Sequence, residues 1–437
     1  MLLIYSPEIS QRLEYTLDLI FRQQMNISYR ITSFIEEIRL EEGPKLAYCF
    51  TPVDDCFTVP ASGLLFERNV TSQENKIGRI ARWGDLPVFF TREGNFNLTF
   101  DLFSAVFYMV SRYEEYLPFE SDEHQRFQSG ESYAFHNGFL DRPLVNEWLL
   151  KFADLISQEI PNCPASSFPP YRFIPTIDID QAWAFRNKGC WRTLGGMLRD
   201  INRPDLRNYR YQAIRGNQPD PFDTYDLIEL YHGEAAIRPI WFFLLGDHGK
   251  HDKNSPHRNP ELARLIGQLA SRDETGIHPS YASNASSHQI STEIERLKKL
   301  SGKPVTKSRQ HFLKMEMPQT YRLLNNLGIK EDYTMGYAER PGFRAGIASP
   351  FTFFDLEDNK VTDLTVFPFQ LMDITLQRYL KLQPEEAVEA AEKLIDRVKA
   401  VNGTFITLWH NESLSEWKEW TAWSEVYRQI LIRASSQ

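Results

Sequence analysis

Apolar positions near the start of the chain recur with two different periods. Leu2–Tyr5 is a short apolar run of the kind a buried strand makes. Leu13, Leu17 and Ile20 then fall three or four apart, the spacing of one helix face. LAYCF (46–50), PVFFT (87–91) and FNLTF (96–100) predict further strands. Leu102, Val106, Met109, Val110 and Tyr113 return to helical spacing and predict a buried helix within 101–117, with another over 148–160. The charged stretch SDEHQRF (121–127) is expected to be a loop facing water.

PNCPASSFPP (161–170) carries four prolines in ten residues, which neither a helix nor a central strand tolerates. A domain boundary is placed there, dividing the chain into 1–165 and 166–437. Beyond it, apolar strands alternate with longer helical patterns. YRFIPTIDID (171–180), RPIWFFLLGDH (238–248) and TFITLWHN (404–411) read as strands. DPFDTYDLIELYHGE (220–234), PELARLIGQLASRDE (260–274), STEIERLKKLSGK (291–303), PQTYRLLNNLG (318–328) and PEEAVEAAEKLIDRVKAVNG (384–403) read as helices. The second of these helices is expected to end near Gly276. Such alternation predicts a parallel barrel or a doubly wound sheet, with chemistry at the C-terminal ends of the strands.

At 42% hydrophobic and 24% charged residues, the 437-residue chain has the composition of a globular protein. Its formal net charge of −9 and lack of a basic run argue against nucleic acid as a partner. Glu8, Glu14 and Asp18 interrupt the first apolar stretch, and no apolar run reaches the length of a membrane span. The four cysteines show no C-x-x-C spacing, so reduced thiols and a cytoplasmic setting are expected. The sequence assigns no oligomeric state.

Polar residues cluster at the predicted strand ends. Asp178 and Asp180 in TIDID share one face of a strand, where two carboxylates repel unless a cation or proton intervenes. His278 in TGIHPSYASN (275–284) has Ser280, Tyr281 and Ser283 for company. His410 sits at the tip of the last strand, placed to act as a general acid. Asp373 in LMDITL is a buried carboxylate in need of a partner, for which His410 is a candidate. SRQHFLK (308–314) offers Arg309 and His311, and PGFRAG (341–346) offers Arg344, an arginine able to orient an aspartate. No P-loop, dinucleotide fingerprint, nucleophile elbow or HExxH motif occurs.

Taken in order, TIDID, GIHPSYAS, SRQHFLK, LMDITL and TLWHN resemble the five motifs of the polysaccharide deacetylase family, the NodB-homology domain of carbohydrate esterase family 4. The resemblance covers roughly 171–437 and is that of a divergent bacterial member with an extra N-terminal domain of unknown role. It implies a distorted (β/α) barrel, preceded by a smaller mixed α/β domain, and a divalent metal, in the family usually zinc. It implies removal of an acetyl group from an N- or O-acetylated sugar or glycan precursor. Asp178 would be the catalytic base, Arg309 its orienting partner, His410 the general acid and Asp373 its tuning carboxylate. Asp180 and His278 would be metal ligands, and Trp409, Arg344 and Tyr281 would contact substrate. The family's second motif ends in a second histidine, where this chain has Ala282. The implied ligand set is therefore one protein donor short of the common three. Asp247 and His248 are candidates for the third, with Ser283 and Asn284 as weaker ones. Two alternatives stand beside this expectation. One is an inactive glycan-binding protein using Trp183, Trp241 and Trp409, and the other is an amidase on a non-sugar substrate.

Overall fold

A computed structural model describes residues 1–284 and 286–436. The first part builds a four-stranded, all-parallel sheet from β1 (Leu2–Tyr5), β2 (Tyr29–Thr32), β3 (Lys45–Cys49) and β4 (Phe57–Pro60), in the order β2-β1-β3-β4. A small antiparallel ribbon, β5 (Ala81–Trp83) and β6 (Leu86–Val88), follows. FNLTF forms no strand, only an isolated bridge between Thr91 and Phe100. The apolar pattern of 101–117 becomes a fully buried helix, Leu102–Val110, whose start Asp101 caps by accepting the Ser104 N–H.

The second sheet has nine strands: β7 (Arg172–Ile179), β8 (Ile240–Phe243), β9 (Glu274–Ile277), β10 (Lys307–Ser308), β11 (Glu331–Asp332), β12 (Phe351–Asp355), β13 (Lys360–Val366), β14 (Leu371–Met372) and β15 (Thr404–His410). Their order is β12-β13-β11-β10-β9-β8-β7-β15-β14, and only β12 runs antiparallel to its neighbour. The expected α/β architecture with a parallel sheet is present, but the strand pairing does not close into a ring. Gly276, expected to end a helix, lies inside β9. A Cβ there would stand 2.5 Å from the Phe242 ring and 2.9 Å from the Lys307 carbonyl oxygen, so a close approach between strands demands the glycine.

Side-chain alternation sorts the strands' residues into two cores. Ile406 and Leu408 join Ile174, Phe242 and Tyr333 in a small cluster, while Phe405 and Trp409 point into the main one. That main core runs across both parts of the chain: Tyr15 and Phe107 each pack on Phe354, with ring centroids 5.0 and 5.3 Å apart. Among the described residues, no helix is long and apolar enough to cross a membrane.

Candidate metal centre

Parallel strands bring their C-terminal ends to one edge, and the polar motifs sit there. Asp178 lies in β7 with Asp180 just past its end, His278 follows β9, and Arg309 and His311 follow β10. Asp373 follows β14, and His410 ends β15 directly beside Asp178 in the strand register. A cavity of about 300 Å³ opens among them, lined by Asp178, Asp180, His278, His311, His410 and Glu412. Leu408, Met372 and Ile374 form an apolar part of its wall.

The hydrogen bonds fix which imidazole nitrogen faces the cavity. His278 Nδ1 lies 2.6 Å from the Arg309 carbonyl oxygen, which can only accept, so Nδ1 carries the proton. His311 Nδ1 is held 2.9 Å from Asp252 Oδ1. Both Nε2 atoms then turn toward one carboxylate: His278 Nε2 is 3.2 Å from Asp180 Oδ1 and His311 Nε2 is 3.3 Å from Asp180 Oδ2. Donor atoms of Asp180, His278 and His311 all lie within 4.8 Å of one another. Asp180 Oδ1 is buried with no hydrogen-bond partner. Two lone pairs facing a carboxylate is an arrangement that a proton or a cation must stabilise. Without a metal the proton takes that place: His311 is pushed up to about 9, because the pull of Asp180 and Asp252 outweighs burial. Burial acts against the Asp180 carboxylate too, yet His311 and His278 hold it well below the usual range. Two imidazoles and a carboxylate, each imidazole anchored through its other nitrogen, fit a divalent metal.

The flanking groups are also fixed. Arg309 donates from Nη1 to Asp178 Oδ1 at 2.9 Å and to Thr176 Oγ1 at 2.6 Å, and from Nε to the Tyr333 carbonyl. His410 Nδ1 lies 2.9 Å from Asp373 Oδ1, and Asp373 also accepts the His410 backbone N–H at 2.7 Å and the Ser413 hydroxyl. Burial lowers the affinity of His410 for a proton, but Asp373, Asp180 and Asp178 overcome this and raise it to about 10. Its Nε2, 3.9 Å from Asp180 Oδ2, therefore carries a proton at neutral pH.

Several sequence expectations are corrected. The third donor atom that stands with those of Asp180 and His278, where Ala282 offers none, belongs to His311 from the next motif. Ala282 serves through its backbone, since its N–H and that of Tyr281 donate to Asp252, the carboxylate that anchors His311. Asp247 is exposed and paired with Arg296, and His248 lines a different cleft. Ser283 bonds back to Ser280 and Asn284 to Lys314. Trp409 is fully buried against Tyr427, because strand alternation that turns Leu408 and His410 into the cavity turns it away. Trp183 and Trp241 are buried as well. Arg344 grips Glu115 through two hydrogen bonds of 2.8 and 2.7 Å, outside the cavity. Tyr281 stands outside the cavity lining, stacked on His251 at 4.3 Å. Asp373 lies just past β14 rather than within a strand. Arg126, placed by sequence in a solvated loop, is buried and lines the cavity, donating to the Phe312 carbonyl at 2.7 Å. Asp122, four residues before, also accepts from Arg126, but the contact that carries it to the cavity lies 186 residues away and has no local signal.

Residues 2–161 match a protein family of unknown function (DUF7033). No curated protein matches the chain. The chain is similar to a solved structure from Mycobacterium smegmatis provisionally described as a polysaccharide deacetylase, with 16% identity and a TM-score of 0.39 over 61% of this chain and 87% of that one. It is similar to the polysaccharide deacetylase Bc1974 from Bacillus cereus, with 11% identity and a TM-score of 0.29 over 60% and 85% of the two chains. A CE4 family pseudoenzyme from Bacillus anthracis gives 10% identity and a TM-score of 0.31, with 61% of this chain covering 60% of that one.

Proposed function

We propose that the chain is a metal-dependent hydrolase that removes an acetyl group from an N- or O-acetylated sugar or glycan precursor. One observation carries this reading. His278 and His311 aim their Nε2 atoms at the partnerless oxygen and its twin on Asp180, in a cavity that also holds an Arg309-bound aspartate and an Asp373-bound histidine. The donor set suits zinc, and also the two-histidine, one-carboxylate sites of non-haem iron.

Bound by Asp180, His278 and His311, a divalent metal would supply Lewis acidity toward an acyl carbonyl and acidify a water. The chain's own residues account for the proton traffic. Asp178 has one oxygen tied to Arg309, which fixes its orientation, and Oδ2 remains to take a proton from the attacking water. His410 holds a proton on Nε2 that it can pass to the leaving amine or alkoxide. The apolar wall of Leu408, Met372 and Ile374 suits a small methyl and excludes bulk water. The buried positions of Trp183, Trp241 and Trp409 remove the stacking surface that a purely glycan-binding reading needed.

The finer fold reading, a distorted barrel, is supported by the segment joining β13 to β14. Phe367 N–H donates to the Asp332 carbonyl and Gln370 N–H to the Ile406 carbonyl, so the segment bonds toward both sides of the gap. A division into 1–165 and 166–437 is supported by strand pairing, which never crosses it.

The test is metal content by mass spectrometry on protein purified without chelator, followed by a panel of acetylated sugars. About one zinc or iron per chain in the wild type, lost in Asp180→Asn and His311→Ala, is expected. A wild type that binds no metal after zinc is added, or variants that keep it, would sink the reading.

A further inference from the structure

A second cleft of about 490 Å³ lies beside the candidate metal centre. The partition between them is Gln181, the residue after Asp180, and Asn411, the residue after His410; Asn411 Nδ2 donates to the Gln181 carbonyl at 3.1 Å. In a chain with net charge −9, this cleft is lined by seven lysines and arginines and a single carboxylate, Asp200. Asp200 is already taken by Arg210, at 2.7 Å. Lys188 is half-buried, with its Nζ donating to the neutral amide oxygen of Gln181, at 2.5 Å, rather than to a carboxylate. Burial and the nearby Arg192 push that ammonium down to about 8. Arg192 spends its donors on the Asn254 and Lys253 carbonyls, and Arg203 is exposed. Half-buried Trp417, 5.4 Å from the Phe185 ring, adds an aromatic surface to the same cleft. Seven like charges crowded into a concave site with few counter-charges repel one another, and an anion lowers that cost.

We infer that this cleft binds the phosphate groups of the substrate, so that the acetylated sugar is presented on a diphosphate carrier with its acetyl group across the Gln181–Asn411 partition. The inference rests on the hydrolase reading of the neighbouring centre. Two carriers share this chemistry. A nucleoside diphosphate would stack its base on Trp417. A lipid diphosphate would use the helix Cys190–Arg199, which turns Arg192, Gly195, Gly196 and Arg199 to the cleft and leaves Trp191, Leu194 and Leu198 exposed.

The experiment titrates inorganic pyrophosphate and uridine diphosphate into full-length Asp180→Asn protein, so that metal at the catalytic centre cannot hold the probe. The same titrations follow with Arg192→Gln and Arg203→Glu added singly, each checked for an unchanged melting temperature. Binding that weakens with salt and falls about tenfold or more in either cleft variant is expected. Equal affinity in the cleft variants and their parent, or no binding of either probe, overturns the inference. Tighter uridine diphosphate binding that Trp417→Ala abolishes supports it with a nucleotide carrier. Binding to phosphatidylcholine vesicles doped with polyprenyl phosphate, lost in Trp191→Ser, supports it with a lipid carrier. The two readings fail separately: pyrophosphate binding without metal or hydrolysis refutes the hydrolase alone, and hydrolysis without pyrophosphate binding refutes the cleft alone.

Discussion

Two of the buried clusters of charge in this molecule are built on opposite plans. In the first, Arg112 and Arg344 close on Glu115. Both oxygens of that carboxylate accept an arginine, at 2.7 to 2.8 Å, and Arg112 also reaches Glu114. Burial alone would push the Glu115 carboxyl up, but Arg344 and Arg112 hold it below the usual range. This cluster joins the first part of the chain to the second, and both oxygens of its central carboxylate are taken, although Arg112 Nη1 is buried without a partner. In the second cluster, His278 and His311 turn their Nε2 atoms toward the Asp180 carboxylate and leave its Oδ1 without a hydrogen-bond partner. A structural network satisfies itself, whereas a binding site holds its donors in place and leaves the centre to a guest. Arg344 and His311 were both offered by sequence as polar residues near strand ends. Only the bonding plan separates the residue that holds the protein together from the one placed to hold a metal.

Substitutions can break this contrast at several strengths. Asp180→Asn should have the largest effect on the second cluster, abolishing stoichiometric metal binding while leaving the urea midpoint of the metal-free protein near that of the wild type. A large loss of stability instead would place Asp180 with the structural cluster. Glu115→Gln should do the reverse. It leaves buried Arg344 without a carboxylate and Arg112 with Glu114 alone, and should cost about 3–5 kcal/mol in urea denaturation, with metal content per folded chain unchanged.

Asp252→Asn sharpens the comparison, because Asp252 touches His311 and not the shared centre. Metal affinity should fall by about 10–100-fold, the usual cost of losing a carboxylate that orients a ligating imidazole. Proton competition gives a further, smaller effect. His311 is raised to about 9 in the metal-free site, so at neutral pH a metal must displace its proton. Metal affinity should therefore rise by up to about tenfold per pH unit between pH 7 and 9 and level off above that. Calorimetry in buffers of different ionisation enthalpy should detect about one proton released at pH 7. A flat pH profile would mean that His311 does not bind the metal. Least affected should be Asp247→Asn, exposed in the loop beyond β8 and paired with Arg296. It should keep its metal and change stability by no more than about 0.5 kcal/mol.

What sequence determined was whatever depends on neighbours along the chain. The period of two in TIDID placed Asp178 and Asp180 on one face, and the end of an apolar run placed His410 at a strand tip. Helical spacing located the buried helix at Leu102–Val110 and those at Pro260–Arg272 and Pro384–Ala400. The same period of two, applied to TLWHN, already turns Trp409 away from the face of His410, so that correction was legible in the motif itself. What tertiary structure decided was convergence. Pairing of β9 with β10 brings His311 beside His278, 33 positions earlier in the chain, and so supplies a candidate for the donor missing at Ala282. Packing of the first part against the second brings Arg126 to the cavity and gives Arg344 to Glu115. Local pattern fixes which way a side chain faces, because that follows from backbone geometry. Which distant side chain meets it depends on strand order and core packing, which no short stretch of sequence contains.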